Sequence, residues 1–365
     1  MPITLLRITD FRNLATVELA PCAQGLNIIH GQNGSGKTSL LESIYYLGLG
    51  RSFRSSTSSR LIRYQSDKFS IFAQLLNASE RLLTVGVERG SDGSSLWRMA
   101  DKDLASIAEL ACFLPIRVIN SQSHHLFEAG PVFRRKYLDW GLFYHSERFL
   151  PCWRQLERIL KQRNTLLREK RPKKELDPWT DELIKFSLEL DRLRRDYVQI
   201  LTPLVLEVAQ QLLPLSSLEI NYHPGWSEDR DYPSVLSQSY AEEYRVGHTL
   251  FGPHRAELDI KIDTIPVRHF LSRGQQKLLI CAMILAQGIL QTTYANKGLI
   301  YLVDDLPAEL DLPSRQRLIS LLSAQGSQIF ITAIESETMR QFINEQLDVT
   351  MKVFHVEHGN LRSDS

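Results

Sequence analysis

The chain has 365 residues, 43% of them hydrophobic and 23% charged, which places it among ordinary globular proteins with room for more than one domain and a sizeable buried core. A net charge of +1 excludes any global electrostatic argument for nucleic acid, so such a signal has to be local. Cys22, Cys112, Cys152 and Cys281 are far apart with no C-x-x-C pair among them, which argues against a zinc site or a disulfide framework and fits a reducing cytoplasm.

The first residues, Met1 to Arg7, meet a charge too early for a secretory leader. Ile3–Ile8, Ala15–Leu19 and Leu26–Ile29 read as strands, with turn-like clusters between them. A helical pattern follows at 39–48, then a basic, Ser-rich turn at Arg51–Ser56. Phe69–Leu76, Arg81–Glu88 and Ser95–Met99 read as an antiparallel meander, with a Gly-Ser-Asp-Gly hairpin loop between the last two. Pro115–Asn120 is a strand leading into a polar loop that contains His124 and His125. Adjacent histidines rarely share one metal and no third ligand sits close by, so these two read as surface residues.

Residues 147–205 carry helical periodicity. Leu183, Phe186, Leu190, Leu193, Tyr197, Ile200 and Leu204 alternate three and four apart, a heptad seam. Trp153, Leu156, Leu160 and Leu167 mark a similar face upstream, and Pro172 and Pro178 bound a break between the two. This predicts a protruding helical hairpin. Over 148–174 ten basic residues face two acidic ones, and Arg134, Arg135 and Lys136 lie just upstream. A run this one-sided in a near-neutral chain is a candidate phosphate-backbone contact, weighed evenly against a merely solvated face. Residues 214–246 read as mixed. Leu258–Ile262 alternates as a strand, Leu271–Gln276 precedes a long helix at 277–290, and Gly298–Val303 and Gln328–Ala333 are buried strands of parallel type. The apolar run Leu278–Leu290 is only 13 residues and contains Gln287 and Gly288, so it reads as a core helix with no membrane role.

One stretch fixes the chemistry. Gly31-Gln32-Asn33-Gly34-Ser35-Gly36-Lys37-Thr38 matches G-x-x-x-x-G-K-[ST] at every fixed position, between a strand and a helix that begins near Ser39. Backbone N–H groups of such a loop cradle a phosphate chain at a helix N-terminus. Lys37 reaches the β- and γ-phosphates, and the Thr38 hydroxyl is placed to ligate Mg²⁺. ATP and Mg²⁺ are therefore the expected ligands. Asp304, at the end of a buried strand, supplies the carboxylate for the metal. Asp305 is next in the chain and can take the attacking water's proton. Leu271-Ser272-Arg273-Gly274-Gln275 resembles the L-S-G-G-Q signature of the ABC ATPases, with Arg273 in the third position. In that family the signature closes on the nucleotide of a second subunit, which implies roles for Ser272, Gly274 and Gln275 across a homodimer. Ala308-Glu309-Leu310-Asp311 resembles the D-loop of the same family, and Gln122 falls where its Q-loop residue acts in catalysis and metal binding. Asp305 stands where most ABC ATPases carry Glu. No histidine follows Ile329–Ile331, which leaves Thr332 as the candidate γ-phosphate sensor.

Lys37 and Ser272 are 235 positions apart. That is far more than in transporter ATPase subunits and far less than in chromosome-structuring SMC proteins. Phe11-Arg12-Asn13, Gly50–Arg54, Gly130-Pro131, Arg134–Gly141 and Gly252-Pro253-His254-Arg255 join the motifs above in a set spanning nearly the whole chain. In that set the chain closely resembles the RecF family of bacterial recombination and replication-repair proteins. The resemblance implies an α/β fold: an ABC-type P-loop ATPase head, a mixed sheet with flanking helices, plus a helical hairpin arm. It implies a head split between 1–115 and 247–365 with the arm at 116–246, and adds Arg12 and Ser39 to the nucleotide-binding residues. It further implies a weak, DNA-stimulated ATPase that dimerises on ATP and binds single- and double-stranded DNA at gaps. Such a protein acts with RecR and RecO to help load RecA. A structural DNA clamp of the SMC type is the alternative.

Overall fold

The computed structural model describes residues 1–365 apart from Ser56, Ala78, Ser216, Asn296, Lys297, Leu306 to Glu309 and Ser365. Residues 1–123 and 291–365 form one compact unit and 124–290 a second. In chain order the first unit opens with β1 (Ile3–Phe11), β2 (Leu14–Leu19), β3 (Gly25–His30), α1 (Lys37–Leu49), β4 (Lys68–Leu76), β5 (Leu82–Gly90), β6 (Ser95–Met99), β7 (Lys102–Asp103), α2 (Ile107–Phe113) and β8 (Ile116–Ile119). The second holds α3 (His125–Glu128), α4 (Pro131–His145), α5 (Phe149–Arg168), α6 (Lys173–Leu212), β9 (Leu218–His223), α7 (Tyr232–Val246), β10 (Glu257–Ile262), β11 (Ile265–Pro266) and α8 (Val267–Phe270). The chain returns along α9 (Arg273–Ala295) to β12 (Ile300–Val303), α10 (Leu312–Ser323), β13 (Gln328–Ala333), α11 (Glu337–Gln346), β14 (Met351–Glu357) and β15 (Asn360–Asp364).

The first unit has two six-stranded sheets. One is antiparallel, ordered β2-β1-β4-β5-β6-β7, and contains the expected meander. The other is ordered β15-β14-β3-β13-β12-β8, parallel from β14 to β8 and closed by antiparallel β15. β3, β12 and β13 are apolar almost throughout because both faces of a parallel sheet are covered. β4 alternates, burying Phe69, Ile71, Ala73 and Leu75. These join Leu40, Leu41, Ile44 and Leu47 of α1 and Phe330 and Phe354 of the parallel sheet in one hydrophobic core. The phosphate-loop helix is thus anchored in that core along its length.

In the second unit α5 and α6 form the expected helical pair, but not a free-standing arm. α7 packs on both helices, α4 on both, and β9 on α6. Leu183, Leu190 and Tyr197 of the heptad seam are buried, and so is a second stripe of Ser187, Arg194, Val198 and Leu201. A face that wide belongs to a core helix and not to a two-stranded seam. Trp153 lies partly outside the buried stripe of α5, where Cys152, Leu156, Ile159, Leu160 and Leu167 are covered. Pro178 does not break the chain. The turn lies before Lys173, and both Pro178 and Pro203 sit inside α6. Each removes one rung of the hydrogen-bond ladder while packing on α5 holds the helix. The expected boundaries also shift. β8 pairs with β12 and belongs to the first unit, while β10 pairs with β9, so 247–290 belong to the second.

The basic run loses members to the interior. Arg163 is buried and donates to Glu243 at 2.7 Å, to Thr249 at 2.7 Å and to Thr180 at 3.1 Å. Arg134 holds Glu257 through two bonds of 2.6 Å, and Arg135 donates to the Ala256 carbonyl. Arg154, Arg158, Lys161 and Lys174 remain exposed. No helix among the described residues is long and apolar enough to cross a membrane.

Candidate nucleotide site

The carboxyl ends of β3, β12, β13 and β8 lie side by side in the parallel sheet, the edge at which open α/β sheets gather ligand-binding loops. β3 delivers Gly31–Gly36, β12 delivers Asp304 and Asp305, β13 delivers Thr332, and β8 runs into Gln122, which is exposed in the turn after it. The Asp304 N–H donates to the Ile119 carbonyl at 2.9 Å, locking the end of β12 to β8.

The phosphate loop has the conformation its glycines permit. Gly36 caps α1 at φ 123, where a methyl group would come within 2.8 Å of Leu14 Cδ2. Gly31, at φ 150, leaves no room for a side chain against the Val356 carbonyl of β14. The same C-terminal hairpin grips the loop again, because the Gly359 N–H donates to the Ser35 carbonyl at 2.9 Å. Lys37 and Thr38 occupy the first turn of α1, two residues earlier than the sequence pattern indicates. The Lys37 ammonium donates to the Gly31 carbonyl at 2.6 Å and the Gln32 carbonyl at 3.0 Å, so the loop's own oxygens hold it. Burial pushes its pKa down, and the carboxylates of Asp305 and Asp304 partly offset this.

The Thr38 hydroxyl donates to Asp304 Oδ1 at 3.0 Å, and the Thr332 hydroxyl donates to the same oxygen at 3.0 Å. Thr332 also accepts from the Asp305 N–H at 2.6 Å. Its buried hydroxyl therefore ties the two aspartates to β13, a different task from the sensor role expected of it. Burial raises the Asp304 pKa, the two threonine hydroxyls oppose the rise, and the neighbouring Asp305 adds to it. Asp305 is exposed, with a left-handed backbone at φ 51.

The remaining residues expected at the site sort into facing and supporting ones. Gln32, Asn33 and Gly34 are exposed along the loop. Ser35 is buried and its hydroxyl makes no hydrogen bond. The Ser39 hydroxyl donates to Asn13 at 2.7 Å, and Asn13 donates to the Gly34 carbonyl at 3.1 Å, so Ser39 braces the loop from beneath. Arg12, expected to contact the nucleotide, is held by a carboxylate at the back of the loop. Its guanidinium donates to Glu42 at 2.9 and 2.8 Å and to the Arg60 carbonyl at 3.0 Å. Glu42, wholly buried, also takes the Ser52 hydroxyl, and Arg54 stands 4.0 Å away. Sequence reasoning missed this network, because nothing local joins positions 12, 42 and 52.

The signature lies in the second unit. α9 starts at Arg273, so Ser272 is its N-cap and Gly274 and Gln275 lie in its first turn, earlier than the expected start at 277. The Gln275 N–H donates to the Ser272 hydroxyl at 3.3 Å and the Ser272 N–H donates to the Gln275 side chain at 3.0 Å. This is a reciprocal capping box, which S-x-x-Q could have announced. Ser272 and Gln275 are exposed. Of the D-loop, Ala308 and Glu309 lie outside the described residues; Leu310 is buried, and the Asp311 carboxylate caps α10 by accepting from the Ser314 N–H at 2.8 Å.

The donor set fits a magnesium nucleotide. Ser35 has an orphaned buried hydroxyl, Lys37 is held by loop carbonyls that a phosphate can replace, and Thr38 already meets a carboxylate.

Comparisons with known proteins give the family and the fold. The family profile of the RecF/RecN/SMC N terminal domain matches residues 2–361. The chain is 40% identical over 361 residues to the DNA replication and repair protein RecF of Shewanella loihica, covering 99% of each. It is 40% identical over 362 residues to that of Cellvibrio japonicus, again over 99% of each. Among solved structures it is similar to the recombination mediator protein RecF in its RecF-ATP form, in the RecFOR pathway, with a TM-score of 0.86 and 23% identity over 100% of this chain and 98% of that one. An SMC head bound to the C-terminal winged-helix domain of ScpA matches with a TM-score of 0.64 and 16% identity over 100% and 98%. The fold is that of an ABC-type ATPase head.

Proposed function

The chain belongs to the RecF/RecN/SMC N-terminal family, and from that premise we propose that it is an ATP-dependent DNA-binding switch of recombinational repair and replication restart in the cytoplasm. ATP joins two copies, the joined pair holds DNA at single-strand gaps, and slow, DNA-stimulated hydrolysis releases it. RecR and RecO are its partners, and RecA loading is the outcome they share.

The observation that carries this reading is the Thr38–Asp304–Thr332 cluster at the mouth of an intact phosphate loop, with Lys37 and Asp305 beside it. Lys37 exchanges the carbonyls of Gly31 and Gln32 for phosphate oxygens. The loop N–H groups and the Ser35 hydroxyl complete the cradle. Thr38 and Asp304, with Gln122, are the residues to hold Mg²⁺, which supplies the charge that offsets the phosphoryl oxygens. Asp305 accepts the proton of the attacking water; being one methylene shorter than Glu, it does so with looser positioning and slow turnover. Ser272, Gly274 and Gln275 of a second copy close the site over the γ-phosphate from a helix N-terminus. The exposed members of the basic run in α5 and at the α5–α6 turn meet the DNA backbone.

The alternative is a structural clamp of the SMC type. It is disfavoured by the packing of α5 and α6 into a compact unit, which leaves no long lever. DNA affinity on gapped and intact duplex, with and without ATP, separates the two. Binding that needs ATP and falls steeply with salt supports the switch; binding indifferent to ATP, or none, contradicts it.

A further inference from the structure

The connection between α1 and β4 presents one aromatic side chain to water. Tyr64 is 87% exposed, and among the described residues no other large apolar or aromatic side chain exceeds the 59% of Leu82. A lone exposed ring on a loose loop needs no explanation, but this ring stands on a fixed base. Arg63, Tyr64, Gln65 and Ser66 form a closed turn, the Ser66 N–H donating to the Arg63 carbonyl at 3.0 Å. Gln65, in third position, has φ 68, where such a turn usually takes Gly. The chain leading into the turn is fastened to the end of β1. The Arg12 N–H donates to the Leu61 carbonyl at 2.7 Å, the Arg63 N–H donates to the Asp10 carbonyl at 2.8 Å, and Phe11 and Ile62 form a β-bridge between them. Leu61 is buried in the hydrophobic core of the first unit. On the far side the Ser91 N–H donates to the Asp67 carbonyl at 2.8 Å.

The setting of the ring is cationic. Residues 51–68 carry Arg51, Arg54, Arg60, Arg63 and Lys68 against one carboxylate, Asp67. Arg63 lies 3.6 Å from Asp10 and Lys68 2.9 Å from Glu88, surface pairs of the kind that contribute little and yield to another anion. Arg51 and Arg60 are exposed, and their side chains have no partner among the described residues. The Arg60 carbonyl accepts from Arg12 at 3.0 Å, and Arg12 holds Glu42 of α1, so the turn is joined to the helix that follows the phosphate loop. A protein partner would call for an apolar patch around the ring. The other apolar side chains of this segment, Phe53, Leu61 and Ile62, are not exposed, so the ring stands alone among arginines.

A fixed ring flanked by cations suits an unpaired base, since every base offers a π-face and every flanking phosphate a negative charge. Tyrosine supplies that surface at small entropic cost, having only two side-chain torsions. We propose that Tyr64 is a stacking post for an unpaired base of single-stranded nucleic acid, with Arg60 and Arg51 meeting the neighbouring phosphates. This rests on the DNA-binding reading above and adds to it a strand contact in the first unit, whereas the basic face of α5 belongs to the second. Duplex bases are already stacked on one another, so the post separates single strand from duplex without selecting a sequence.

The test compares two labelled strands of equal length by fluorescence anisotropy on the full chain with ATP, one an oligothymidylate and one wholly abasic. Wild type is expected to prefer the oligothymidylate. Tyr64→Ala should lose about tenfold on it and nothing on the abasic strand. Tyr64→Leu, which keeps bulk without a π-face, should behave like Tyr64→Ala, and Tyr64→Trp should keep the preference. Tyr64 is almost wholly exposed, so all three variants should unfold at the wild-type temperature. Arg60→Ala should weaken both strands alike and lower the slope of log affinity against log salt by about 0.7, the share of one phosphate on a single strand. Wild-type binding by Tyr64→Ala, an equal loss on the two strands, or an unaltered salt slope in Arg60→Ala overturns the proposal. A wild-type chain that binds gapped duplex while Tyr64→Ala is unaltered on every strand removes only this post; a wild-type chain that binds no DNA removes the reading beneath it.

Discussion

Arg12→Ala separates a structural from a nucleotide-binding arginine. Glu42 is wholly buried one turn into the helix that follows the phosphate loop, and both its oxygens take Arg12, at 2.9 and 2.8 Å. Without the guanidinium, the carboxylate keeps the Ser52 hydroxyl and an Arg54 group 4.0 Å away. Breaking a buried ion pair from one side costs about 3–5 kcal/mol, because the surviving charge is left without compensation. The Arg12 side chain is 20% exposed and Arg54 can move closer, which places the loss at the lower end, about 3 kcal/mol. For a unit of about 200 residues each kcal/mol moves Tm by about 2–4 °C, so a fall of about 6–12 °C is expected. Arg12→Ala with Glu42→Gln removes the stranded charge and should recover much of that fall. Thermal unfolding of the single and double variants, with ATP affinity from a fluorescent analogue, reads both quantities. The double variant should still bind ATP, since the guanidinium is turned to Glu42. An unchanged Tm in Arg12→Ala refutes the buried-pair argument. A stable double variant that has lost ATP binding returns Arg12 to the nucleotide.

Asp304→Asn should raise Tm in the absence of nucleotide and abolish the stabilisation that Mg²⁺ and ATP add together. Burial disfavours its charge, and the amide oxygen can still accept from Thr38 and Thr332; a lower Tm contradicts this. Asp305→Asn should prolong the ATP-bound dimer by removing the proton acceptor, and Asp305→Glu should speed hydrolysis. If neither changes, Asp305 is not the base. Burial pushes the His254 pKa down to about 4, below the ordinary 6.5. The folded chain therefore takes up that proton less readily than the unfolded chain. The stability that His254 contributes is full above about pH 6.5 and falls as pH drops toward 4, by about 2 kcal/mol at pH 5. Urea unfolding at pH 7 and pH 5 should show this loss in wild type and a smaller one in His254→Asn; equal losses would remove His254 as the cause.

Strand alternation in β4, the apolar runs of β12 and β13 and every fixed position of the phosphate loop were legible in the sequence, because each follows from local periodicity or local stereochemistry. What escaped was set by partners distant in the chain. Arg163 counts as a surface cation until Glu243, 80 positions on, is placed beside it. Pro178 signals a break until packing on α5 outweighs one missing rung. The grip of the C-terminal hairpin on Gly31 and Ser35 has no local signal at all. Ser272 carries two signals at once. One pattern, S-x-x-Q before an apolar run, serves both a helix cap and a phosphate-binding signature, and the structure displays the cap.

That double use bears on the central claim, that the phosphate loop is half of a site completed by Ser272 of a second copy. Sedimentation velocity with ATP, with ADP and with neither, on wild type and Ser272→Arg, addresses it most directly. Losing the cap costs about 1 kcal/mol, so thermal unfolding must first show that the variant is folded. Wild type should sediment as a dimer only with ATP, and folded Ser272→Arg should stay monomeric in all three conditions. Dimers that form without ATP, or persist in the variant, would contradict the account.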